Sequence, residues 1–180
     1  MKIYVIGGKA KTGKNTLGAY IREASKDYGY KPCVMRITAP LYEYARDYFE
    51  WDGNENTKPR EFLQKMGIEI IKEKLGKKDF LLNRLVEDIE ILQEFFDTFI
   101  ITDARLVHEF EFLKEKFPDV VAIKLERKNY RDMLNDSERN HITEKDIDNY
   151  NDFDYVVENK TRLGLKETAR KIVSEENGVI

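Results

Sequence analysis

The stretch Lys2–Thr16, KIYVIGGKAKTGKNT, constrains the fold more than any other part of the chain. Four residues, Ile3, Tyr4, Val5 and Ile6, read as a short buried strand. They run without a linker into a turn rich in glycine and lysine, and the turn runs into a helical pattern. That order of strand, loop and helix N-terminus is the layout of a P-loop, whose backbone N–H groups close around a polyanion. Gly8 and Gly13 carry the spacing, because a Cβ there would stand between backbone and phosphate. Lys14 is placed to reach the β- and γ-phosphates, and Lys9 and Lys11 add local positive charge. The phosphate site is therefore expected to comprise Gly8, Lys9, Ala10, Lys11, Thr12, Gly13, Lys14, Asn15 and Thr16. The position after Lys14 commonly carries a hydroxyl that ligates Mg²⁺. Here it is Asn15, followed by Thr16.

Strand signals recur downstream between helical stretches. Cys33–Ile37, Phe99–Thr102, Val120–Leu125 and Tyr155–Val157 are short apolar runs, and helices are expected over Asn15–Tyr28 and Leu163–Ser174. Strands separated by helices imply right-handed crossovers and a parallel sheet of about five strands, covered on both faces. With 180 residues and no internal repeat or linker, the chain reads as one α/β domain. The segment between the second strand and FIIT, about 39–95, is longer than a crossover helix needs. It reads as a helical insert, with breaks near Trp51–Pro59 and Gly76–Asp79 and Pro59 in the first turn of a helix running to Leu75. The densely charged stretch at about 128–152 reads as a lid.

Bulk properties narrow the partners. Charged residues make up 36% and the net charge is −3, which argues against a nucleic-acid polymer or an anionic membrane surface as partner. A single cysteine excludes an internal disulfide and suits a reducing, cytoplasmic setting. No apolar run approaches the roughly 20 residues of a membrane span. His108 and His141 lack zinc-ligand company and read as structural or surface residues.

In an open α/β sheet, ligands bind outside the carboxyl ends of the strands. The FIIT strand ends in Asp103-Ala104-Arg105. Asp103 is a candidate Mg²⁺ carboxylate together with Asn15 and Thr16, and Arg105 a bidentate phosphate clamp. Arg127 follows the VVAIKL strand and enters the polar stretch from that edge, where it would neutralise a transferring phosphoryl group. Arg60, Gln64 and Gly67 fall at helical spacing, with Arg60 suited to an acceptor phosphate and Gln64 to a base or sugar. The plain alternative makes Leu63, Met66 and Ile70 a buried stripe and leaves the polar residues in water. Trp51 is either a stacking platform for a base or a loop anchor.

These residues together resemble the deoxynucleoside monophosphate kinase and phosphomevalonate kinase group of P-loop kinases. GKAKTGKNT resembles that group's Gly-Lys loop, in which an Asp often follows the lysine and Asn15 takes its place. APLYEYARDYFEWDG resembles its Ala-x-Pro-Leu-Lys segment with an aromatic-Trp-Asp-Gly turn, Tyr42 standing where Lys is usual. KPREFLQKMGIE matches its Pro-Arg-x-x-Leu-Gln-x-x-Gly-x-Glu helix. TDARLVHEFEFL resembles its Ser-Asp-x-Arg segment, with His108 where Asn is common, and NDFDYVVENKT its closing strand. The resemblance implies a three-layer P-loop kinase fold with a helical lid. It also implies transfer of the γ-phosphoryl of Mg·ATP to a small-molecule phosphate acceptor, in a monomer or homodimer. On that reading Lys14 and the loop hold the donor, Thr16, Asn15 and Asp103 serve the metal, Arg60 and Arg105 seat the acceptor, and Arg127 closes from the lid. Lid residues Arg131, Glu138, Arg139 and Glu144 are further candidates. Three readings stand at this stage: a (deoxy)nucleoside monophosphate kinase, a phosphomevalonate kinase, and a nucleotide-binding regulator without transferase activity.

Overall fold

The computed structural model describes residues 1–127 and 146–178. Five strands form one parallel sheet: β1 (Lys2–Gly7), β2 (Pro32–Met35), β3 (Thr98–Ala104), β4 (Val120–Glu126) and β5 (Tyr155–Glu158). Their order is β2-β3-β1-β4-β5, so the strand that leads into the glycine loop lies at the centre. Ile3 pairs with Phe99 on one side and Val120 on the other.

The three central strands, β1, β3 and β4, lack polar–apolar alternation because both faces are buried. Ile3, Val5, Phe99, Ile101 and Ala122 face one core; Tyr4, Ile6, Ile100, Val121 and Ile123 face the other. The second core is closed by α1 (Lys14–Asp27) and α6 (Arg162–Glu176), through Leu17, Ile21, Leu165, Ala169 and Ile172. The first is closed by α2 (Ala39–Phe49), α3 (Arg60–Gln64), α4 (Phe80–Leu92) and α5 (Val107–Lys116). Each wholly buried Leu or Ile contributes about 1.5–3 kcal/mol relative to exposure, and both cores are built of such residues. His108 joins two of these helices, its Nε2 lying 2.5 Å from Asp79 Oδ1 at the start of α4.

Three expectations shift in detail. The second strand starts at Pro32 and ends at Met35, not Ile37. It is an edge strand, where a missing N–H is tolerated. Arg36 to Thr38 leave the sheet for a turn that the site uses. Pro59 lies just before the α3 helix instead of in its first turn. Beyond Gln64 the helix continues over Lys65–Lys74 with wider π geometry. That widening changes which residues face inward: Gly67 and Ile71 are buried, whereas Ile70 is half-buried. A Cβ on Gly67 would come within 3.1 Å of Leu41 Cδ1, so the glycine lets this segment pack closely on α2.

Most of the expected lid, with Arg131, Glu138, Arg139, His141 and Glu144, lies outside the described residues. Its far end belongs to the body of the domain. Ile147 is buried in the first core, and Asp146 accepts the Val107 N–H at 2.7 Å.

Candidate active site

The loop after β1 is shaped by backbone conformations that side chains disfavour. Gly8 has φ +148° and Gly13 φ +105°. A Cβ on Gly8 would lie 2.4 Å from the Leu125 carbonyl oxygen, and one on Gly13 2.6 Å from Asn159 Nδ2. Lys14 is 8% exposed, and its ammonium donates to the carbonyls of Gly8 at 2.6 Å and Lys9 at 2.7 Å. The Thr12 hydroxyl donates to the Lys9 carbonyl at 2.9 Å. Asn159, just past β5, donates to the Thr12 carbonyl at 2.8 Å and ties the loop to the far edge of the sheet. Lys9 turns away to pair with Asp148 at 2.9 Å. Among the described residues no side chain caps α1, whose N-cap is Gly13. A helix start of that kind receives anions.

At the end of β3, the Asp103 carboxylate accepts the N–H groups of Ile37 (2.9 Å) and Thr38 (3.1 Å) and the Thr38 hydroxyl. Thr38 is the N-cap of α2, so this strand end fixes where α2 begins. Arg105 follows immediately. Its backbone N–H and that of Leu106 donate to Glu109 Oε2 at 2.7 and 3.0 Å. Burial pushes the Glu109 carboxyl above its ordinary range, opposed by Lys72 and by those two N–H groups.

Two cavities meet over these strand ends. One runs along the loop and is lined by Lys11, Gly13, Lys14, Asn15, Thr16, Asp103, Arg105 and Arg127, with Lys160 to Arg162 beyond β5. The other lies between α2, α3 and α5. It carries Leu41, Leu63, Ile68, Leu81 and Leu106 along its walls, with Gln64, Lys72 and Glu109 as polar lining. Tyr42, Lys58, Arg60, Asp103 and Arg105 line both and form their junction.

A family model for deoxynucleotide monophosphate kinases matches residues 44–169. The chain belongs to the deoxynucleotide monophosphate kinase family. It is a kinase. The match begins at Tyr44, so the loop from Gly8 to Thr16 stands on its own geometry. No curated protein matches the chain. Among solved structures, a sugar kinase from Janibacter sp. HTCC2649 superposes with a TM-score of 0.53 at 11% identity, covering 99% of this chain and 95% of that one. A shikimate kinase from Aquifex aeolicus vf5 gives a TM-score of 0.47 at 14% identity, over 99% and 97% of the two chains. At 11% identity the first likeness is one of fold. Among the described residues no helix is long and apolar enough to cross a membrane.

The candidates of this kinase fall into groups. Lys11, Gly13, Lys14, Asn15, Thr16, Asp103, Arg105, Arg127 and Arg60 surround the loop cavity, and Ala10, Arg60, Gln64 and Gly67 the second. Gly8, Lys9 and Thr12 build the loop from behind. Trp51 lines neither cavity. Its ring lies 5.6 Å from that of Tyr42, and its Nε1–H donates to the Asn54 carbonyl at 3.2 Å. It therefore backs the tyrosine that faces the junction.

Sequence reasoning assigned no role to Arg36, Lys58, Asn159, Lys160, Thr161 or Arg162, all of which line the loop cavity. The last four were within reach, because ENKTR follows the carboxyl end of β5 as DAR follows that of β3. A hydroxyl at Thr16, an amide at Asn15 and a carboxylate at Asp103 share this cavity. Oxygen donors of that kind suit a hard cation such as Mg²⁺. Among the described residues no three His, Cys, Asp or Glu side chains form a metal cage, so such an ion would share phosphate oxygens as well.

Proposed function

We propose that the protein transfers the γ-phosphoryl group of Mg·ATP to the phosphate of a (deoxy)nucleoside monophosphate. The observation that carries this reading is the junction of the two cavities. A loop built for a triphosphate opens at Arg60, Arg105 and Tyr42 into a slot with leucine and isoleucine walls. Such a slot accepts the flat apolar face of a base, and Gln64 offers hydrogen bonds to its edge.

On this reading the work of catalysis is positioning and charge neutralisation, since donor and acceptor are both anions. The loop N–H groups and Lys14 hold the donor phosphates. Lys14, which donates to its loop carbonyls in the free protein, exchanges them for phosphate oxygens. Arg60 and Arg105 seat the acceptor phosphate opposite, each able to bind two oxygens at once. Arg127, at the exit of β4, adds positive charge beside the transferring group. Thr16, Asn15 and Asp103 would hold Mg²⁺, which when bound neutralises charge on the donor phosphates. Asp103 also fixes the α2 start, and so keeps Tyr42 and Leu41 in place along the acceptor slot.

The test is turnover. Purified protein with Mg·ATP is offered each nucleoside and deoxynucleoside monophosphate, and separately mevalonate phosphate, and ADP is measured. ADP release with one or more nucleotides is expected. Release with mevalonate phosphate alone would move the protein to the phosphomevalonate kinase reading. ATP binding without ADP release on any acceptor would make it a regulator.

A further inference from the structure

Tyr42 stands where the resembled segment carries a lysine, yet the cavity junction has not lost positive charge there. The Lys58 ammonium lies 4.8 Å from the centroid of the Tyr42 ring, and the Arg36 guanidinium carbon 5.4 Å from it. An aromatic face attracts cations and restrains them. Tyr42 thus holds in place two cations that come from other parts of the chain. Lys58 is the better placed, because its side chain is only 16% exposed and it lines both cavities. Two residues on, Arg60 lines both as well.

Between these two cations sits a carboxylate. Glu55 Oε1 accepts from Arg60 Nη2 at 3.0 Å, and Glu55 Oε2 lies 3.6 Å from Lys58 Nζ. The glutamate side chain is 69% exposed, comes from the single turn Glu55–Thr57 and lines the loop cavity itself. An exposed carboxylate with one negative charge holds such partners weakly. A phosphate monoester brings up to two charges and three acceptor oxygens to the same pair.

We propose that Lys58, presented on the face of Tyr42, forms with Arg60 a two-cation seat for the acceptor phosphate, and that Glu55 occupies the seat until the phosphate displaces it. The charge that the resembled segment places on residue 42 is supplied here through space by residue 58. Glu55 is a built-in competitor. It offsets the mutual repulsion of the two cations and competes with adventitious monovalent anions, at a modest cost in acceptor affinity. The inference rests on the phosphate-acceptor reading above and adds to it Lys58, Tyr42 and Glu55.

Equilibrium binding of the four deoxynucleoside monophosphates is measured by calorimetry on the whole protein, with a non-hydrolysable ATP analogue present, beside turnover. K58M is expected to weaken the acceptor about tenfold, the loss of one charge-assisted contact, and to leave the Kd of the ATP analogue within about twofold. E55Q is expected to tighten the acceptor about threefold, the size of a weak surface pair removed from competition. Y42K in the K58M background is expected to restore acceptor binding, because the cation returns to residue 42. A purely structural Lys58 would not be rescued in that way. Thermal melts of each variant report that the fold is kept. An unchanged acceptor Kd in K58M, a weaker one in E55Q, or a K58M effect confined to the ATP analogue would each overturn the seat. Wild type that binds the monophosphates but makes no ADP retires the transferase reading and leaves the seat standing. Wild type that turns over with Kd values indifferent to K58M does the reverse.

Discussion

The two halves of the site are built in different materials. The half we propose for the donor is mostly backbone: nine consecutive residues, two glycines with positive φ and a lysine that closes the ring on its own loop. The half we propose for the acceptor is side chains drawn from α2, Lys58, α3, the end of β3 and α5. Backbone geometry is written in contiguous sequence, so a phosphate cradle is a local property. Side-chain geometry is a property of the fold, so a charge can pass from one segment to another, as we propose for residues 42 and 58. A chain of this design can keep its donor fixed and change its acceptor.

The comparison breaks most sharply at Lys14. K14A is expected to lower kcat by at least about 10²–10³-fold, the cost of losing one preorganised charge partner of the transition state. Acceptor binding and the melting temperature should stay close to wild type, because the lysine donates to the Gly8 and Lys9 carbonyls of its own loop. If kcat survives in steady-state assays, the donor is not held at the loop as proposed.

R60A probes the other half. Loss of a charge-assisted contact worth about 1.5–3 kcal/mol predicts a ten- to hundredfold fall in kcat/KM for the acceptor. The KM for ATP should barely move. R105A should act on the same substrate, and the double variant should fall short of additivity if both arginines hold one phosphate. An effect of R60A on ATP alone would assign Arg60 to the donor.

A smaller effect is expected from N159A, which leaves the Thr12 carbonyl without its side-chain donor. A neutral hydrogen bond is worth about 0.5–1.5 kcal/mol net, so KM for ATP should rise about two- to tenfold. The acceptor Kd should not respond. Equal effects on both substrates would show the two halves to be mechanically one.

The smallest effect concerns Glu109 and appears in stability against pH. Burial raises its carboxyl above the ordinary 4.5, so the folded state holds the proton more tightly than the unfolded state does. That contribution is complete below about 4.5 and is lost as pH rises through the folded value. E109Q carries no such proton. Melting curves of wild type and variant should therefore diverge against the wild type as pH climbs from 4.5, then run parallel. Parallel curves throughout would mean that Lys72 and the two N–H groups fully offset the burial.

What the sequence disclosed follows the same division. The strand–glycine–helix order, the apolar runs and Asp103-Ala104-Arg105 at a strand end were readable, because each is contiguous and has one physical explanation. Arg60, Gln64 and Gly67 were readable as one face, and all three line the cavity between α2, α3 and α5. Lys58 was not, since nothing local to KPRE says that its ammonium will rest on a ring sixteen residues earlier. Trp51 was readable as a platform or a loop anchor, because a tryptophan beside an Asp-Gly turn offers a flat face; in the fold its ring lies beside Tyr42, outside both cavities. The π continuation after Gln64 was also out of reach. An α-helical count assigns Ile70 to the stripe, and only the packing of Gly67 on Leu41 shows that Ile71 takes the place.

Asp103 carries a consequence for how this site can change. Its carboxylate takes the N–H of Ile37 on one oxygen and the N–H and hydroxyl of Thr38 on the other. Asparagine has the same outline, yet either orientation of its amide turns an NH₂ toward one of those two N–H groups. The nearest isostere is therefore repelled where the aspartate is gripped. A conservative swap here is a structural lesion before it is a chemical one, felt first at the start of α2. Variation at this strand end must be paired with a redrawn turn at Ile37 and Thr38.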